Sequence, residues 1–330
     1  MNSTPPRVLM YHRVVDPVRA VGGNPTVVSA TPMAFDRQMR HLARHYRVVS
    51  ADEVLAAFRE GRPLPQRSVL LTFDDGYRDF GDIAWPIMRR YRLPATLFVA
   101  TGYPDHPERE FWWDRLARVL ESTERSELDC VPCGRLSLHT PAARRVTLRI
   151  LKRVLKTMAH ATALRVVDDI CRELGETKTE RVPVLTWNEL RELAADGATL
   201  APHTQTHPAL TRLAVEEARA EIRNSRDDLV REVGRAAPVF SYPYGDHNDA
   251  VVQIVRDEGF EVAVTCLNGH SPVPTVDPLR LRRTNVTMRT TPLVFGVRLT
   301  KYASYVDGWR LAAKEWRAKE GTRAIGGSQT

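Results

Sequence analysis

The sequence predicts an α/β protein in which helices cover a parallel β-sheet, and three observations lead to this prediction. Strand-like segments alternate along the chain with segments whose apolar residues recur at helical spacing. Some strand-like segments, such as Ser68–Phe73, are apolar almost throughout, as in the buried strands of a parallel sheet. The chain has 330 residues, which is long for one domain, although closed α/β barrels reach this size as a single unit.

The predicted strands and helices follow one another over most of the chain. The predicted strands are residues 7–14, 68–73, 95–100, 198–202, 239–242, 260–266 and 279–286. The first predicted helix contains Phe35, Met39 and Leu42, and the others cover residues 83–91, 186–197, 215–233 and 250–258. The helix at 186–197 begins with the capping box Thr186-Trp-Asn-Glu189 and ends at Gly197.

Two stretches depart from this alternation and set the predicted domain organisation. Residues from about 112 to 180 look helical, and they would form an insertion in a domain that covers residues 1–290. Residues 291–330 are predicted to form a helical C-terminal extension, and its Gly/Ser-containing end is expected to be disordered.

The composition, with 43% hydrophobic and 27% charged residues, is typical of a soluble globular protein. No apolar run approaches the roughly 20 residues that a membrane-spanning helix needs, and the first residues lack the pattern of a secretory signal. We therefore expect a cytoplasmic protein without a transmembrane segment, with membrane contact at most peripheral. The four cysteines suit this compartment, and the CxxC pair Cys130 and Cys133 lacks the second pair of a zinc ribbon.

The net charge of +8 would suit an acidic partner, such as nucleic acid, anionic lipid or a phosphate-bearing substrate. Much of the excess lies in residues 144–156 and 310–323. Because no nucleic-acid-binding motif accompanies them, we expect no nucleic-acid partner. Two interpretations stay open for these segments: solvated helix faces, or a surface for a phosphate-bearing or membrane-anchored substrate.

Polar residues follow three of the predicted strands, and the carboxyl ends of parallel strands meet at one face of a sheet or barrel. Asp74 and Asp75 end the strand at 68–73. Because side chains alternate along a strand, the two carboxylates would diverge, so that one can bind a cation while the other stays free. The alternative is that they cap the next helix or form a turn before Gly76.

His203 and His207 follow the strand at 198–202. Pro202 and Pro208 bracket them, so a regular helix is not expected, but a strand end that runs into a turn can still bring both imidazoles together. Two neutral imidazoles with one carboxylate suit Zn²⁺ and leave a position for water. The alternative is a pair of solvent-facing loop histidines.

These four side chains together would suffice to hydrolyse an amide or ester. A metal ion acidifies its bound water and polarises a carbonyl oxygen, and a second carboxylate can accept the proton of the water. The segments TFDDG, HTQTH and YPYG, in this order and at strand ends, resemble the polysaccharide deacetylases, which share the NodB-homology domain of carbohydrate esterase family four. Further agreements are MYHRV on the first strand, LPATLFV, FWWD at Phe111 to Asp114, and the helix TWNELRELAADG.

The resemblance covers residues from about 7 to 286 and implies a distorted (β/α) barrel of about seven parallel strands with one divalent metal ion, usually Zn²⁺. It implies that Asp74 is the general base and that Asp75, His203 and His207 are the metal ligands. The Tyr244 N–H would stabilise the oxyanion, as a preorganised donor does. The resemblance also suggests substrate contacts, with the tryptophans stacking on sugar rings, at Trp112, Trp113, Trp187, Tyr242 and Pro243.

Two features of the sequence depart from the family pattern. The best-known members have an arginine where this chain has Ser241, and Arg283 on the last strand resembles the arginine of members with the YPYG variant. The usual late Leu-x-His motif, which supplies the general acid, has no clear counterpart. His12, at the end of the first strand, is the candidate that would reach the site, and the base itself, once protonated, could also return the proton. A second available histidine, His270, lies in a Gly/Pro-rich loop.

We therefore predict a metal-dependent hydrolase that removes the N-acetyl group of a sugar or saccharide, which is phosphate- or lipid-linked in one version of the hypothesis. Two alternatives stay open. The same fold and site could hydrolyse another C–N bond, in a cyclic amide or ureide. The substitution at Ser241 and the missing acid could also indicate a non-catalytic sugar-binding protein.

Overall fold

The computed structural model describes residues 5–16, 27–176, 184–271 and 277–300. Its strands are β1 Arg7–Tyr11, β2 Arg13–Val14, β3 Val28–Ala30, β4 Arg47–Val49, β5 Ser68–Phe73, β6 Thr96–Val99, β7 Glu127–Cys130, β8 Gly134–Ser137, β9 Thr199–Pro202, β10 Val239–Ser241, β11 Val262–Asn268 and β12 Leu281–Asn285. Its helices are α1 Pro32–His45, α2 Ala51–Arg59, α3 Trp85–Arg90, α4 Trp112–Ser122, α5 Pro141–Leu155, α6 His160–Glu173, α7 Trp187–Ala195, α8 Val215–Val233, α9 Asp249–Asp257 and α10 Pro292–Arg298. Among these helices, none has the length and apolar character needed to span a bilayer.

Seven parallel strands form a nearly closed barrel in the order β10-β11-β12-β1-β5-β6-β9, with β4 beside the first half of β5. The two ends of this sheet meet at one hydrogen bond. Ala237, just before β10, donates its N–H to the carbonyl of Leu200 in β9 at 3.1 Å. All six residues of β5 are buried, as expected for a strand covered on both faces. The predicted distorted (β/α) barrel is confirmed.

The first predicted strand differs from the structure in a way that affects the site. The chain leaves the barrel after Tyr11, and β2 pairs with β3 outside the main sheet. His12 therefore lies in the gap between two short strands, at the carboxyl end of β1. The predicted capping box at the start of α7 is present, with Thr186 accepting from the Glu189 N–H and Glu189 accepting from the Thr186 N–H.

The chain between β6 and β9 contains α4, α5, α6 and an antiparallel β7–β8 hairpin that the sequence did not predict. These elements have a hydrophobic cluster of their own, in which Leu116, Leu151 and Val167 are buried. Arg118 of α4 pairs with Glu110 and with Glu176, both at 2.8 Å. This region therefore packs as a separate layer on the carboxyl-end side of β6. We refer to it as the insertion, residues 112–176.

The C-terminal part of the description ends with α10, where Phe295 packs at 6.1 Å from the ring of His41 on α1. The rest of the predicted C-terminal extension, residues 301–330, lies outside the described residues, and so does its Gly/Ser tail. Residues 177–180 of the predicted insertion also lie outside them.

Arg144, in the basic segment 144–156, is used to hold the insertion together. Its guanidinium donates to the carbonyls of Leu138, Glu121 and Thr123. The neighbouring Arg145 is exposed. The charge of this segment therefore has more than one role, and the first arginine is structural.

We expect Arg144→Ala to lower the free energy of unfolding by about 1–3 kcal/mol, because three carbonyls lose their donor. Arg145→Ala removes the same charge from an exposed site and should change it by less than about 0.5 kcal/mol. Urea unfolding of both variants measures the difference. Equal losses would mean that the net charge, and not the three hydrogen bonds, is what matters.

Candidate metal centre and active site

The carboxyl ends of three barrel strands bring the predicted site residues together. Asp74 and Asp75 follow β5, His203 follows β9, and Ser241 ends β10. Because β5, β9 and β10 run in parallel, their last residues face the same end of the barrel. The barrel topology thus joins residues that are more than 160 positions apart in the sequence, such as Asp74 and Ser241.

Asp75, His203 and His207 form a compact buried cluster whose candidate ligand atoms all lie within 4.8 Å of one another. Oδ1 of Asp75 lies 3.6 Å from Nε2 of His203 and 3.4 Å from Nε2 of His207. Ligands at roughly 2.0–2.2 Å from a tetrahedral Zn²⁺ are about 3.3–3.5 Å apart, close to these separations. Asp75 Oδ1 is buried without a hydrogen-bond partner among the described residues. A cation would satisfy it, so these residues fit a metal ion.

The backbone at these positions is shaped for the cluster. Asp75, Thr204 and His207 have φ values of 77°, 63° and 60°. Such left-handed conformations are uncommon for residues other than glycine, and they cost about 1–3 kcal/mol where the surrounding structure imposes them. They turn the chain sharply after β5 and β9, which is how His203 and His207 meet without lying on a helix.

The loop that carries the two histidines is held by hydrogen bonds from two neighbouring segments. The Thr101 N–H donates to the Thr204 carbonyl at 3.1 Å, and the Gly102 N–H donates to the Gln205 carbonyl at 2.9 Å. The Glu221 carboxylate accepts from the Gln205 and Thr206 N–H groups at 2.8 and 2.9 Å. The position of the loop is therefore determined by β6 and α8 as well as by its own sequence.

The hydrogen bond of His203 determines its tautomer. Nδ1 of His203 donates to the Ser241 carbonyl at 2.6 Å, and a carbonyl can only accept. The lone pair of the neutral ring is therefore on Nε2, the atom that faces Asp75. Burial lowers the pKa of His203 to about 4 and that of His207 to about 3. Both imidazoles are thus neutral near pH 7, as a metal ligand must be.

Arg283 of β12 holds Asp74 through two parallel hydrogen bonds. Its Nη1 and Nη2 atoms donate to Oδ1 and Oδ2 of Asp74, both at 2.7 Å. Other guanidinium donors bond the Thr265 carbonyl at 2.8 Å and the Ser241 hydroxyl at 3.1 Å. Burial raises the pKa of Asp74, but the charge and hydrogen bonds of Arg283, together with the nearby His203 and His12, outweigh burial and hold that pKa below its ordinary range. Asp74 is therefore ionised and oriented beside His203.

Ser241 has a role at this pair that sequence reasoning did not assign to it. Its hydroxyl lies 3.4 Å from Oδ2 of Asp74, and its side chain is fully buried. The serine is small, so the guanidinium of Arg283 can reach Asp74 from β12. The sequence showed that an arginine is missing at position 241 and that one is present at position 283. It did not show that the Ser241 hydroxyl contacts both Asp74 and Arg283.

His207 is enclosed by aromatic rings. The rings of Trp113 and Tyr244 lie at centroid distances of 4.8 and 4.6 Å from it. Trp112 donates its Nε1–H to the Tyr244 hydroxyl at 3.0 Å. Trp112 and Trp113 are 6% and 4% exposed, so they form a wall of the site instead of offering open faces to a sugar ring.

A buried polar chain continues behind this wall. Trp113 donates its Nε1–H to the Tyr77 hydroxyl at 2.9 Å, and Tyr77 donates to Asp114 at 2.6 Å. Sequence reasoning singled out FWWD as a family feature but did not assign this contact to its aspartate. Tyr77 follows Gly76 directly, so these two hydrogen bonds connect the turn at Asp75 to α4 of the insertion.

Three of the predicted substrate contacts are buried side chains in the described structure. Tyr242 alternates with the inward-facing Ser241, so it points away from the site, and its hydroxyl donates to the Leu279 carbonyl at 3.0 Å. Trp187 packs in the main barrel core with Leu190. Pro243 is buried at the start of the short turn Pro243–Gly245, where it shapes the backbone that carries Tyr244.

His12 is half-buried beside the site, and its backbone N–H donates to the Ser29 hydroxyl at 2.9 Å. Burial lowers its pKa, and the charges of Asp75 and Asp74 act on the ring in the opposite direction. His270 instead lies 3.3 Å from the Arg298 carbonyl at the end of α10. Of the two histidines, His12 is the one that the barrel brings to the carboxylates.

Known proteins resemble this chain in sequence. A family model described as polysaccharide deacetylase matches residues 61–127 and 141–263, which is more than half of the chain. The poly-β-1,6-N-acetyl-D-glucosamine N-deacetylase of Escherichia coli K12 is 32% identical over 91 residues, and the match covers 23% of this chain and 14% of that protein. The match thus spans only a small part of the length of that relative.

Solved structures resemble it in fold. The Streptococcus pyogenes deacetylase PplD in complex with acetate aligns with a TM-score of 0.61 and 20% identity, over 91% of this chain and 100% of that chain. IcaB from Ammonifex degensii aligns with a TM-score of 0.58 and 18% identity, over 91% and 99% of the two chains. At these identities the likeness establishes a shared fold.

We expect Arg283→Met to lower the free energy of unfolding by about 3–5 kcal/mol, because it leaves the Asp74 carboxylate buried without its counter-charge. The double variant Arg283→Met/Asp74→Asn should lose much less than the sum of the two single losses, because no charge is then left unpaired. Urea unfolding at pH 7 of the four proteins gives the coupling energy. Additive losses would mean that the pair does not act as a unit.

The metal-free protein should lose stability as the pH falls from about 6.5 towards 4. Histidines of the unfolded chain titrate near 6.5, about two units or more above the buried His203 and His207, so the unfolded state binds more protons in this range. The total loss is on the order of a few kcal/mol. Urea unfolding in the presence of a chelator measures it.

Two variants test this pH dependence: His207→Asn and the control His139→Asn. The first should remove its share of the slope, and the second, at an exposed position between β8 and α5, should leave the slope unchanged. Comparison with wild type is required because burial raises the pKa of Asp79 to about 6, an effect of opposite sign. An identical slope in His207→Asn and wild type would contradict the neutral-histidine interpretation.

Proposed function

The chain belongs to the polysaccharide deacetylase family, and on this premise we propose that it hydrolyses the N-acetyl group of an N-acetylated saccharide and releases acetate. The observation that carries the proposal is the cluster of Asp75, His203 and His207, with the ionised Asp74 beside it. Oδ2 of Asp74 lies 4.0 Å from Nε2 of His203, so base and ligands share one small buried volume.

We propose that Asp75, His203 and His207 hold one divalent metal ion and that this ion is Zn²⁺. A set of two imidazoles and one carboxylate suits Zn²⁺, and three protein ligands leave a position open, as in catalytic zinc sites. When bound, the ion would acidify water and polarise the acetyl carbonyl as a Lewis acid.

Asp74 is proposed to accept the proton of the attacking water. Arg283 supports this role in two ways, because the paired hydrogen bonds orient the carboxylate and keep it ionised. The same pair makes Asp74 a weak base, so the attacking water must be acidic. The Tyr244 N–H, in a left-handed turn beside His207, is proposed to stabilise the negative oxygen that forms on the acetyl carbon.

The leaving amine needs a proton when the C–N bond breaks. His12 is proposed as its donor, since it lies at the end of β1, where the negative charges of Asp75 and Asp74 favour the protonated form of its ring against the effect of burial. Return of the proton by Asp74 itself is the other route. Over the reaction, water adds to the acetyl carbon, acetate leaves, and the amine keeps the transferred proton.

The family assignment favours neither the hydrolysis of cyclic amides nor a non-catalytic sugar-binding role. The phosphate or lipid linkage of the saccharide, peripheral membrane contact and the cytoplasmic location stay predictions. The N-acetylated saccharide is the part of the substrate that the proposal requires.

We expect zinc-loaded wild type to bind about one equivalent of metal and to release acetate from at least one member of a panel of N-acetylated saccharides. Asp75→Ala and His203→Ala should lose the metal, because each removes one of three ligands. Asp74→Asn should keep the metal and lose about 10²–10⁴-fold in kcat, the usual contribution of a general base. Elemental analysis and an acetate assay measure the two quantities.

His12→Asn separates the two proton routes. If His12 is the acid, the variant should bind zinc normally and lose about 10²-fold or more in kcat. An unchanged kcat would assign the return of the proton to Asp74. Metal binding by wild type without acetate release from any saccharide, cyclic amide or ureide would instead support a sugar-binding role.

A further inference from the structure

The C-terminal end of α5 brings a lysine to the edge of the candidate site. Nζ of Lys156 lies 4.5 Å from the centroid of the Tyr244 ring. The Tyr244 ring in turn lies 4.6 Å from the ring of His207. A single aromatic side chain therefore separates this ammonium group from a candidate metal ligand. Lys156 is exposed, so a ligand in the site could reach it.

Lys152 lies one helical turn before Lys156 on the same face of α5. Burial, followed by the charge of Lys156, lowers the pKa of Lys152 to about 8. The negative charge of Asp75 raises the pKa of both lysines, so both ammonium groups are within the electrostatic influence of the site. Within residues 5–16, 27–176, 184–271 and 277–300, Lys156 forms no ion pair with a carboxylate.

The sequence of α5 makes this end of the insertion strongly positive. The helix contains no acidic residue. Arg145, Arg149, Lys152 and Lys156 are spaced by four, three and four positions, so they form a stripe along one face. Arg145 lies eleven residues before Lys156, about 16 Å along the helix. Only the last turn of the stripe reaches the site.

The contact with the Tyr244 ring does not by itself explain why a lysine stands at position 156. A cation–π contact is a modest attraction, and it uses the positive charge of the ammonium group and not its N–H donors. Among the described residues none accepts a hydrogen bond from the Lys156 ammonium group, which offers three N–H donors to a ligand. Two like charges one turn apart repel each other, and an anion beside them would relieve the repulsion.

We propose that Lys156, with Lys152 behind it, binds an anionic group of the saccharide, so that the substrate is an acidic N-acetylated saccharide. The inference rests on the proposed deacetylase function and names the substrate class of the same site. A carboxylate of an aminouronic acid and a phosphate on the sugar have the chemistry that the two ammonium groups recognise. The insertion thus supplies substrate selectivity, and the barrel supplies the hydrolytic groups.

Three N-acetylated sugars test this proposal: N-acetylglucosamine, its 1-phosphate and an N-acetylaminouronic acid. We expect wild type to have a kcat/KM at least 10-fold higher for one of the charged sugars than for the neutral one. The sugar with the larger preference identifies phosphate or carboxylate as the source of the anion. Lys156→Gln should lower this ratio at least 5-fold, by lowering kcat/KM for the charged sugar more than for the neutral one.

Control variants separate charge from packing. Lys156→Arg keeps the charge and should keep the preference, whereas Lys152→Gln should reduce it to a smaller degree. Arg145→Gln removes the same charge from the distant end of the same helix face and should have no effect. Raising the salt concentration should reduce the preference in wild type and not in Lys156→Gln, because ionic strength screens the contact.

Binding distinguishes failure of this inference from failure of the proposed function. Calorimetry on the zinc-loaded Asp74→Asn protein, with and without Lys156→Gln, gives Kd values for the same three sugars without turnover. A charged-sugar preference that Lys156→Gln removes supports the inference even if wild type releases no acetate. Equal affinity of the Asp74→Asn protein for charged and neutral sugars, or an equal effect of Lys156→Gln on all three, would overturn it.

Discussion

The burial of two adjacent carboxylates at the end of one strand is the constraint on which the rest of the site depends. Asp74 and Asp75 are each 2% exposed, and an isolated carboxylate in such a place would be strongly destabilising. For Asp74 the protein supplies the counter-charge through Arg283. For Asp75 it supplies two neutral imidazoles and leaves Oδ1 without a hydrogen bond among the described residues. One carboxylate is therefore complete within the chain, and the other is suited to a cation.

This division of the two carboxylates explains several features that would otherwise be unrelated. The left-handed backbone at Asp75 turns its side chain away from that of Asp74. Ser241 contributes its carbonyl to His203 and its hydroxyl to the Arg283 pair, so one residue of β10 orients both halves of the site. Each of these contacts depends on the closure of the barrel, which places β5, β9, β10 and β12 around one opening.

The insertion is the second determinant of the site. The barrel provides the charged groups, and α4 provides the aromatic wall around His207 through Trp112 and Trp113. The helix α5 adds positive charge at the outer edge through Lys156. The basic segment therefore combines a structural arginine, Arg144, which donates to three carbonyls of the insertion, with Lys156, which lies beside Tyr244. The barrel thus carries the charged groups of the site, and the insertion carries its aromatic wall.

The sequence by itself determined the parts of this protein that depend on local pattern. Apolar strands alternating with helical segments predicted the parallel sheet, and the polar residues after β5 and β9 predicted where reactive groups would lie, because the carboxyl ends of parallel strands share one face. The alternation of side chains along the predicted strand 239–242 could also have shown that Tyr242 points away once Ser241 points in. Tertiary structure alone decided the rest. Trp113 meets His207, and Lys156 meets Tyr244 across 88 positions of sequence, because these contacts depend on how the insertion packs on the barrel. Neither periodicity nor motif records that packing.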